Sequence, residues 1–235
     1  MTGVCPVDHT SSASLDWKSL PMRMKNLPRD ERGFPVPWFV DWIDGKPEFR
    51  AMDGRKYLTA ITENRCWVCG EKMGITKVFV AGPMCGINRT SAEPPSHLEC
   101  ARWSAKNCPF LSNPRMVRRE DETINNMVMR ERAAGHAITR NPGVAMLWIT
   151  REYEVFDDGQ GKPLIQMGEP ERVEWYAHGR LATLEEVEAS IHSGLPNLEA
   201  LARREEGGID ALREYVNRFR KWLPRAEDGV QATRA

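Results

Sequence analysis

The sequence has no excess of charge of either sign and no long hydrophobic run. Its 33 Lys and Arg residues balance 33 Asp and Glu residues, so the formal net charge is zero. A balanced chain has no overall field that would steer it toward nucleic acid or an anionic membrane, so such binding must come from a local patch. No run approaches the roughly 18 apolar residues of a membrane-spanning helix, and no basic-then-apolar secretory signal opens the chain. These absences predict a cytoplasmic protein.

The common signatures of catalysis are missing as well. The chain has no Gly-rich phosphate loop, no G-x-S-x-G elbow, no H-E-x-x-H motif and no constellation of carboxylates. With 235 residues, of which 41% are hydrophobic, it can still bury a sizeable core. The composition therefore predicts a globular protein and favours a function other than catalysis.

Six cysteines provide the strongest positive signal. A disulfide framework is not expected in the reducing cytoplasm, whereas metal ligation is. Cys66 and Cys69 form a C-x2-C pair followed by Gly70, which favours a tight turn with both sulfurs on one side. His97 and Cys100 follow at a spacing of three. The pattern predicts a zinc site with Cys66, Cys69, His97 and Cys100 as ligands.

Two other cysteines compete for places in this site. Cys85 lies in a Gly-Pro-Met-Cys-Gly turn and could replace His97 as the fourth ligand. Cys108 lies eight residues after Cys100, which is about 12 Å along a continuous helix and too far to share an ion. Four protein ligands close a tetrahedron and leave no position for water, so the predicted zinc is structural.

A catalytic zinc has one partial motif in its favour. His97 and Glu99 match the first half of a zinc-deaminase signature, in which a glutamate moves protons beside the metal. The P-C-x-x-C half is missing, because Cys108 is followed by Pro-Phe-Leu. Glu99 also forms a capping box with Ser96, which predicts a helix starting just after the Pro-Pro pair at 94–95.

From Arg65 to about Phe110 the sequence resembles a treble-clef zinc finger. It has the C-x2-C-G knuckle, a short strand at 77–81 that would form a hairpin, and a helix with two ligands in its first turn. The resemblance implies a structural zinc and a zinc-finger type of binding function. It also raises the His-Asn-His endonucleases, which place a catalytic histidine on that hairpin. Residues 72–93 contain no histidine, which argues against a metal-dependent nuclease. That nuclease is therefore the alternative, and a binding protein is the main prediction.

The same region contains the surface that we expect to contact a partner. Residues 65–110 contain six basic and three acidic residues. We expect a nucleic acid or a protein to contact the face around Arg89, Arg102 and Lys106. Trp67 and Trp103 could add a stacking surface, although core packing is the commoner use of tryptophan. The oligomeric state is not predicted.

Over most of its length the sequence also resembles a group of uncharacterised bacterial and phage-associated proteins. The shared phrases are those at 65–70, 82–85, 94–97 and 108–110. The resemblance implies one coherent family and adds no mechanism.

The remaining patterns predict an α+β chain with small antiparallel sheets and C-terminal helices. Aromatic-rich runs on either side of Asp44 and Gly45 indicate a hairpin, and a buried strand is expected at 144–149. Thr183 and Glu186 form a second capping box, with Gly194 as the predicted stop of that helix. Apolar residues spaced by three and four from 209 to 223 predict a last helix.

Four segments follow from these patterns. They are a flexible N-terminal arm at 1–33, a β-hairpin with the treble-clef-like zinc module at 34–112, a polar linker or surface helix at 113–141, and a small antiparallel sheet with C-terminal helices at 142–235.

Overall fold

The computed structural model describes residues 17–112, 141–159 and 163–225. The fold is a mixture of helices and small antiparallel sheets, in agreement with the α+β prediction. The strands are β1 (Val40–Ile43), β2 (Lys46–Met52), β3 (Lys77–Ala81), β4 (Thr90–Ser91), β5 (Ala145–Thr150), β6 (Tyr153–Asp157), β7 (Pro163–Met167), β8 (Arg172–Ala177) and β9 (Arg180–Leu181). The helices are α1 (Gly54–Thr62), α2 (Pro83–Asn88), α3 (Leu98–Asn107), α4 (Pro109–Ser112), α5 (Leu184–Ala202) and α6 (Gly208–Phe219), with 3₁₀ turns at Trp17–Ser19, Met22–Met24 and Arg220–Trp222. None of these described helices is long and apolar enough to cross a bilayer.

The strands form three antiparallel sheets. β1 and β2 make the predicted hairpin, whose turn residues Asp44 and Gly45 both have positive φ angles, as a two-residue type I′ turn requires. A four-stranded sheet has the order β3-β5-β8-β9, and a three-stranded sheet has the order β4-β7-β6.

β5 is the centre of the molecule, because all six of its residues are buried. Side chains alternate between the faces of a strand, and here both faces are covered. Met146 and Trp148 point into the core with α5 and α6, whereas Leu147 and Ile149 point into the core with α3. The sheet therefore separates α3 from the C-terminal helices.

The predicted zinc module is not a separate unit. β3 pairs with β5, and β4 pairs with β7, so the segments predicted at 34–112 and 142–235 share two sheets. The expected hairpin at 77–81 is wrong, since α2 follows β3 and the partner strand lies far along the chain. Val78 and Phe79 are both fully buried on opposite faces, which a short local hairpin does not provide.

The predictions for the two C-terminal helices have different outcomes. The capping box of Thr183 and Glu186 is confirmed at the start of α5. The stop at Gly194 is wrong, because α5 continues to Ala202. A Cβ on Gly194 would lie 3.0 Å from the side chain of Met84. This glycine permits close packing of α5 on α2 instead of ending the helix. The predicted last helix is confirmed as α6.

Part of the predicted N-terminal arm packs against the cysteines. Leu20 and Met24 are buried in one cluster with the cysteines of the predicted metal site. Residues 1–16 lie outside the described ranges, as do residues 113–140 of the predicted linker. Leu20 and Met24 thus pack against the cysteines, while the other described side chains of residues 18–33 are exposed or only partly buried.

Candidate metal centre

The four predicted ligands converge on one point. The ligand atoms of Cys66, Cys69, His97 and Cys100 all lie within 4.8 Å of one another. Sγ of Cys69 is 3.4 Å from Nδ1 of His97. A tetrahedral zinc with ordinary Zn–S and Zn–N bonds would separate such atoms by about 3.6 Å. The four side chains are therefore close enough to bind a metal ion.

The knuckle that presents the first two sulfurs is held by its own backbone. The N–H of Cys66 donates to the carbonyl of Glu71, and the N–H of Gly70 donates to the carbonyl of Cys66, both at 2.8 Å. Gly70 has a φ of +77°, and a Cβ there would lie 2.7 Å from the ring of Trp38. Glycine is needed at this position for both reasons.

The second pair of ligands is positioned by the start of α3. Ser96 exchanges two backbone hydrogen bonds with Val78 of β3, which holds it in extended conformation. His97 is consequently the N-cap residue, and Cys100 lies in the first helical turn. The predicted capping box of Ser96 and Glu99 is wrong, because no side chain caps this helix and Glu99 accepts from Arg23 instead.

Backbone N–H groups also approach the sulfur of Cys66. Those of Cys69 and His97 donate to this sulfur at 3.4 and 3.3 Å. Cys66 and Cys100 have no solvent exposure, so hydrogen bonds of this kind replace the lost hydration of a thiolate. The sulfur of Cys66 therefore accepts hydrogen bonds from both the knuckle and the residue that begins α3.

The imidazole of His97 is oriented through its other nitrogen. Nε2 lies 3.1 Å from the carbonyl oxygen of Lys72. A carbonyl only accepts, so Nε2 carries a proton and Nδ1 is the nitrogen that faces the sulfurs. Metal-binding histidines usually show this second contact, which fixes the ring orientation.

Without a metal, His97 and Cys100 hold protons that a divalent cation would displace. Hydrogen bonds with Cys66 and Cys69 raise the pKa of His97 to about 10. Burial acts to raise the pKa of Cys66, but hydrogen bonds with Cys100, Cys69 and His97 outweigh it and lower that pKa strongly. Contacts with Cys66 and Cys69, together with burial, raise the pKa of Cys100. Metal binding at such a site releases protons, because the ligands bind in their deprotonated forms.

The two competing cysteines lie elsewhere. Cys85 packs against the core between the sheet and the C-terminal helices, where burial raises its pKa to about 11. Cys108 ends α3, and burial raises its pKa as well. Neither belongs to the group that could hold a metal. The arrangement in which Cys85 replaces His97 does not match the geometry.

The N-terminal segment closes the site, and sequence reasoning missed this. Arg23 donates to Glu71 at 2.5 Å and to Glu99 at 2.9 Å, which links the knuckle to α3. Met24, 1% exposed, packs in the cysteine cluster together with Leu20. The sequence signal for this contact is the apolar spacing of four and three at Leu20, Met24 and Leu27 in an otherwise polar stretch.

The predicted partner face is largely used within the chain. Arg89 donates to the carbonyl of Met167 and to Glu169, and Arg102 donates to both oxygens of Glu174. Lys106 is exposed, with its Nζ 6.0 Å from the centre of the Tyr176 ring. The tryptophans at 67 and 103 are buried and cannot stack on a base.

The comparisons with known proteins give no assignment: no family model matches the chain, and no curated protein or solved structure is significantly similar to it. Membership of the bacterial and phage-associated group stays a prediction.

Proposed function

We propose that this chain is a non-enzymatic binding protein whose centre is stabilised by a structural zinc ion. The observation that carries the proposal is the convergence of Cys66, Cys69, His97 and Cys100 within 4.8 Å. Three thiolates and one imidazole complete a tetrahedron and leave no open position for a reacting water.

The chemistry of the donor set favours zinc over other ions. Thiolate is a soft ligand that magnesium and calcium avoid, and a tetrahedral set of sulfur and nitrogen donors is typical of zinc. The burial of the two central cysteines suits an ion that stabilises the fold. Such an ion would join the knuckle, the start of α3 and the N-terminal segment that covers both.

The treble-clef description is part of the proposal. A C-x2-C-G knuckle and a helix with a ligand in its first turn support it. The intervening strand β3 pairs with β5 instead of with a neighbour in the module. We therefore propose a treble-clef-like site whose hairpin has been incorporated into the main sheet.

The nuclease alternative makes a distinct prediction. It needs a second metal beside a catalytic histidine, and residues 72–93 contain no histidine. Purified protein would be incubated with plasmid and single-stranded DNA in 10 mM Mg²⁺ or Mn²⁺. The binding protein leaves all substrates intact, whereas cleavage that persists through purification and disappears on substitution of a single acidic residue would overturn the proposal.

Binding itself is tested with the zinc in place. A gel-shift or pull-down signal that survives brief EDTA treatment and disappears when the zinc is removed by denaturation would support a structural ion. A signal that is lost at once with EDTA and regained with Mg²⁺ would contradict it, because a closed buried site exchanges its ion slowly.

A further inference from the structure

A basic and aromatic groove lies at the C-terminal end of α6, away from the cysteines. Its polar and aromatic walls include Arg89, Glu169, Tyr215, Arg218, Lys221 and Trp222. We name these six residues the α6 groove. Its floor, Trp148 and Phe219, belongs to the core with α5 and α6, whereas the cysteines belong to another cluster.

One carboxylate in the α6 groove faces three cations. Glu169 accepts from Arg89 at 3.1 Å and from Lys221 at 2.8 Å. The nearby charge of Arg218 also contributes to lowering the pKa of Glu169, with Lys221 as the largest cause. The groove therefore carries an excess of two positive charges, although the whole chain is neutral.

The cations lie beside aromatic faces. The guanidinium of Arg218 is 5.0 Å from the centre of the Tyr215 ring, and Nζ of Lys221 is 4.9 Å from that of Trp222. Tyr215 is 40% exposed, so part of its ring is accessible to a ligand at the surface. Rings and cations in alternation are typical of surfaces that bind single strands.

The floor of the groove is well packed. The rings of Trp148 and Phe219 are stacked, and Nε1 of Trp148 donates to the carbonyl of Gly168 next to Glu169. A Cβ on Gly86 of α2 would lie 2.5 Å from the Phe219 ring, so α2 and α6 are in close contact. The floor of the groove is thus part of the packed core.

A purely structural role explains only part of this charge. Cations at a helix C-terminus are favoured by the helix dipole, which accounts for Arg218 and Lys221. Arg89 comes from the end of α2, and its hydrogen bonds to the carbonyl of Met167 and to Glu169 account for its position. One carboxylate balances only one of the three cations, and the remaining positive charge lies beside the exposed ring of Tyr215, which suits an anionic ligand.

We propose that the α6 groove binds single-stranded nucleic acid, with Arg218 and Lys221 contacting phosphates and Tyr215 stacking on a base. The exposed ring favours a nucleic acid over an acidic peptide, because every base offers a face for stacking. This inference rests on the proposed binding function and not on the zinc ion. It also moves the partner surface from α3 to α6, with Arg89 common to both.

The test is fluorescence anisotropy of a labelled 20-nucleotide oligo(dT) with the full chain between 50 and 200 mM NaCl. Arg218→Gln and Lys221→Gln are expected to weaken binding about fivefold at low salt, each with a log–log salt slope shallower by about 0.7. Tyr215→Ala is expected to weaken binding at least about fivefold with an unchanged salt slope. Glu169→Gln adds net positive charge and is expected to tighten binding.

The matched control is Arg213→Gln. Arg213 lies on the same helix, is 72% exposed and pairs with Asp210 outside the groove. Its replacement removes the same charge and is expected to change the dissociation constant by less than twofold. Equal losses for Arg213→Gln and Arg218→Gln would overturn the proposal, because the groove would then be no different from the rest of the surface.

Three further outcomes separate the possible failures. No anisotropy change at 50 mM NaCl with protein that contains one zinc overturns the α6 groove and leaves the zinc proposal intact. Binding by protein that contains no metal supports the groove and overturns the structural zinc. A twelve-residue polyglutamate that competes as strongly as oligo(dT), with Tyr215→Ala silent, overturns nucleic acid in favour of an acidic protein partner.

Discussion

Nδ1 of His97 lies 3.4 Å from Sγ of Cys69, while Nε2 of the same ring lies 3.1 Å from the carbonyl oxygen of Lys72. The turn that follows the knuckle thus orients the histidine of the cysteine–histidine cluster. Residues far apart in sequence are brought together because Ser96 pairs with β3 immediately before His97. The site therefore depends on the sheet as much as on the cysteines.

Gly70→Ala is expected to destabilise the protein by about 2–5 kcal/mol. A left-handed backbone costs about 1–2 kcal/mol for alanine, and overpacking against Trp38 adds about 1–3 kcal/mol. Gly74→Ala is the matched control, since its Cβ would meet nothing within 4 Å. Urea unfolding of both variants checks the prediction, and equal stability would show that the knuckle tolerates a side chain at position 70.

Met24→Ala is expected to destabilise the protein by about 2–4 kcal/mol, as other large-to-small substitutions in a core do. Met24 is 1% exposed in the cysteine cluster, whereas Met22 is 72% exposed. Met22→Ala should therefore be neutral to within about 0.5 kcal/mol. Thermal unfolding and the rate of zinc transfer to a chelator would be measured together. A silent Met24→Ala would indicate that residues 17–33 do not cover the site.

The four clustered residues were predictable from short stretches of sequence. A C-x2-C-G knuckle and a His and Cys at a spacing of three can be recognised without the rest of the fold. Local patterns failed where distant contacts decide the outcome. Ser96 is held by Val78 and so cannot cap α3, and Gly194 contacts Met84 within a continuing helix.

The pairing of β3 was not predictable for the same reason. Val78 of β3 lies opposite Ile149 of β5, and nothing in a short window of sequence indicates that partner. The resemblance to a treble clef suggested a local hairpin, whereas full burial of Val78 and Phe79 requires cover on both faces. The apolar side chains of the N-terminal segment were missed because their few buried contacts are surrounded by charged residues.

Arg102→Met is expected to destabilise the protein by about 1 kcal/mol at pH 7, a small value because Arg102 is 43% exposed. Burial acts to raise the pKa of Glu174, but Arg102 outweighs it and keeps that pKa below its ordinary value. A lowered folded-state pKa stabilises above the unfolded pKa and loses this contribution as pH falls. The difference in unfolding free energy between the wild type and Arg102→Met should therefore shrink below about pH 4.

Chemical unfolding of the wild type and Arg102→Met at pH 7, 5 and 3.5 measures this dependence. Arg203→Met removes an exposed pair with Glu199 and serves as the control, for which a small change that varies little with pH is expected. A deficit of Arg102→Met that grows as pH falls would contradict the assigned role of Arg102.

The central claim is that Cys66, Cys69, His97 and Cys100 hold one structural zinc. Its most direct test is the metal content of purified protein by inductively coupled plasma mass spectrometry, for the wild type, His97→Ala, Cys100→Ser, Cys85→Ser and Cys108→Ser. The account predicts one zinc per chain, retained with the substitutions at positions 85 and 108. It predicts loss of zinc and insoluble or unfolded protein for Cys100→Ser, and loss of zinc for His97→Ala. Absence of zinc from the wild type, or zinc that depends on Cys85 or Cys108, would contradict it.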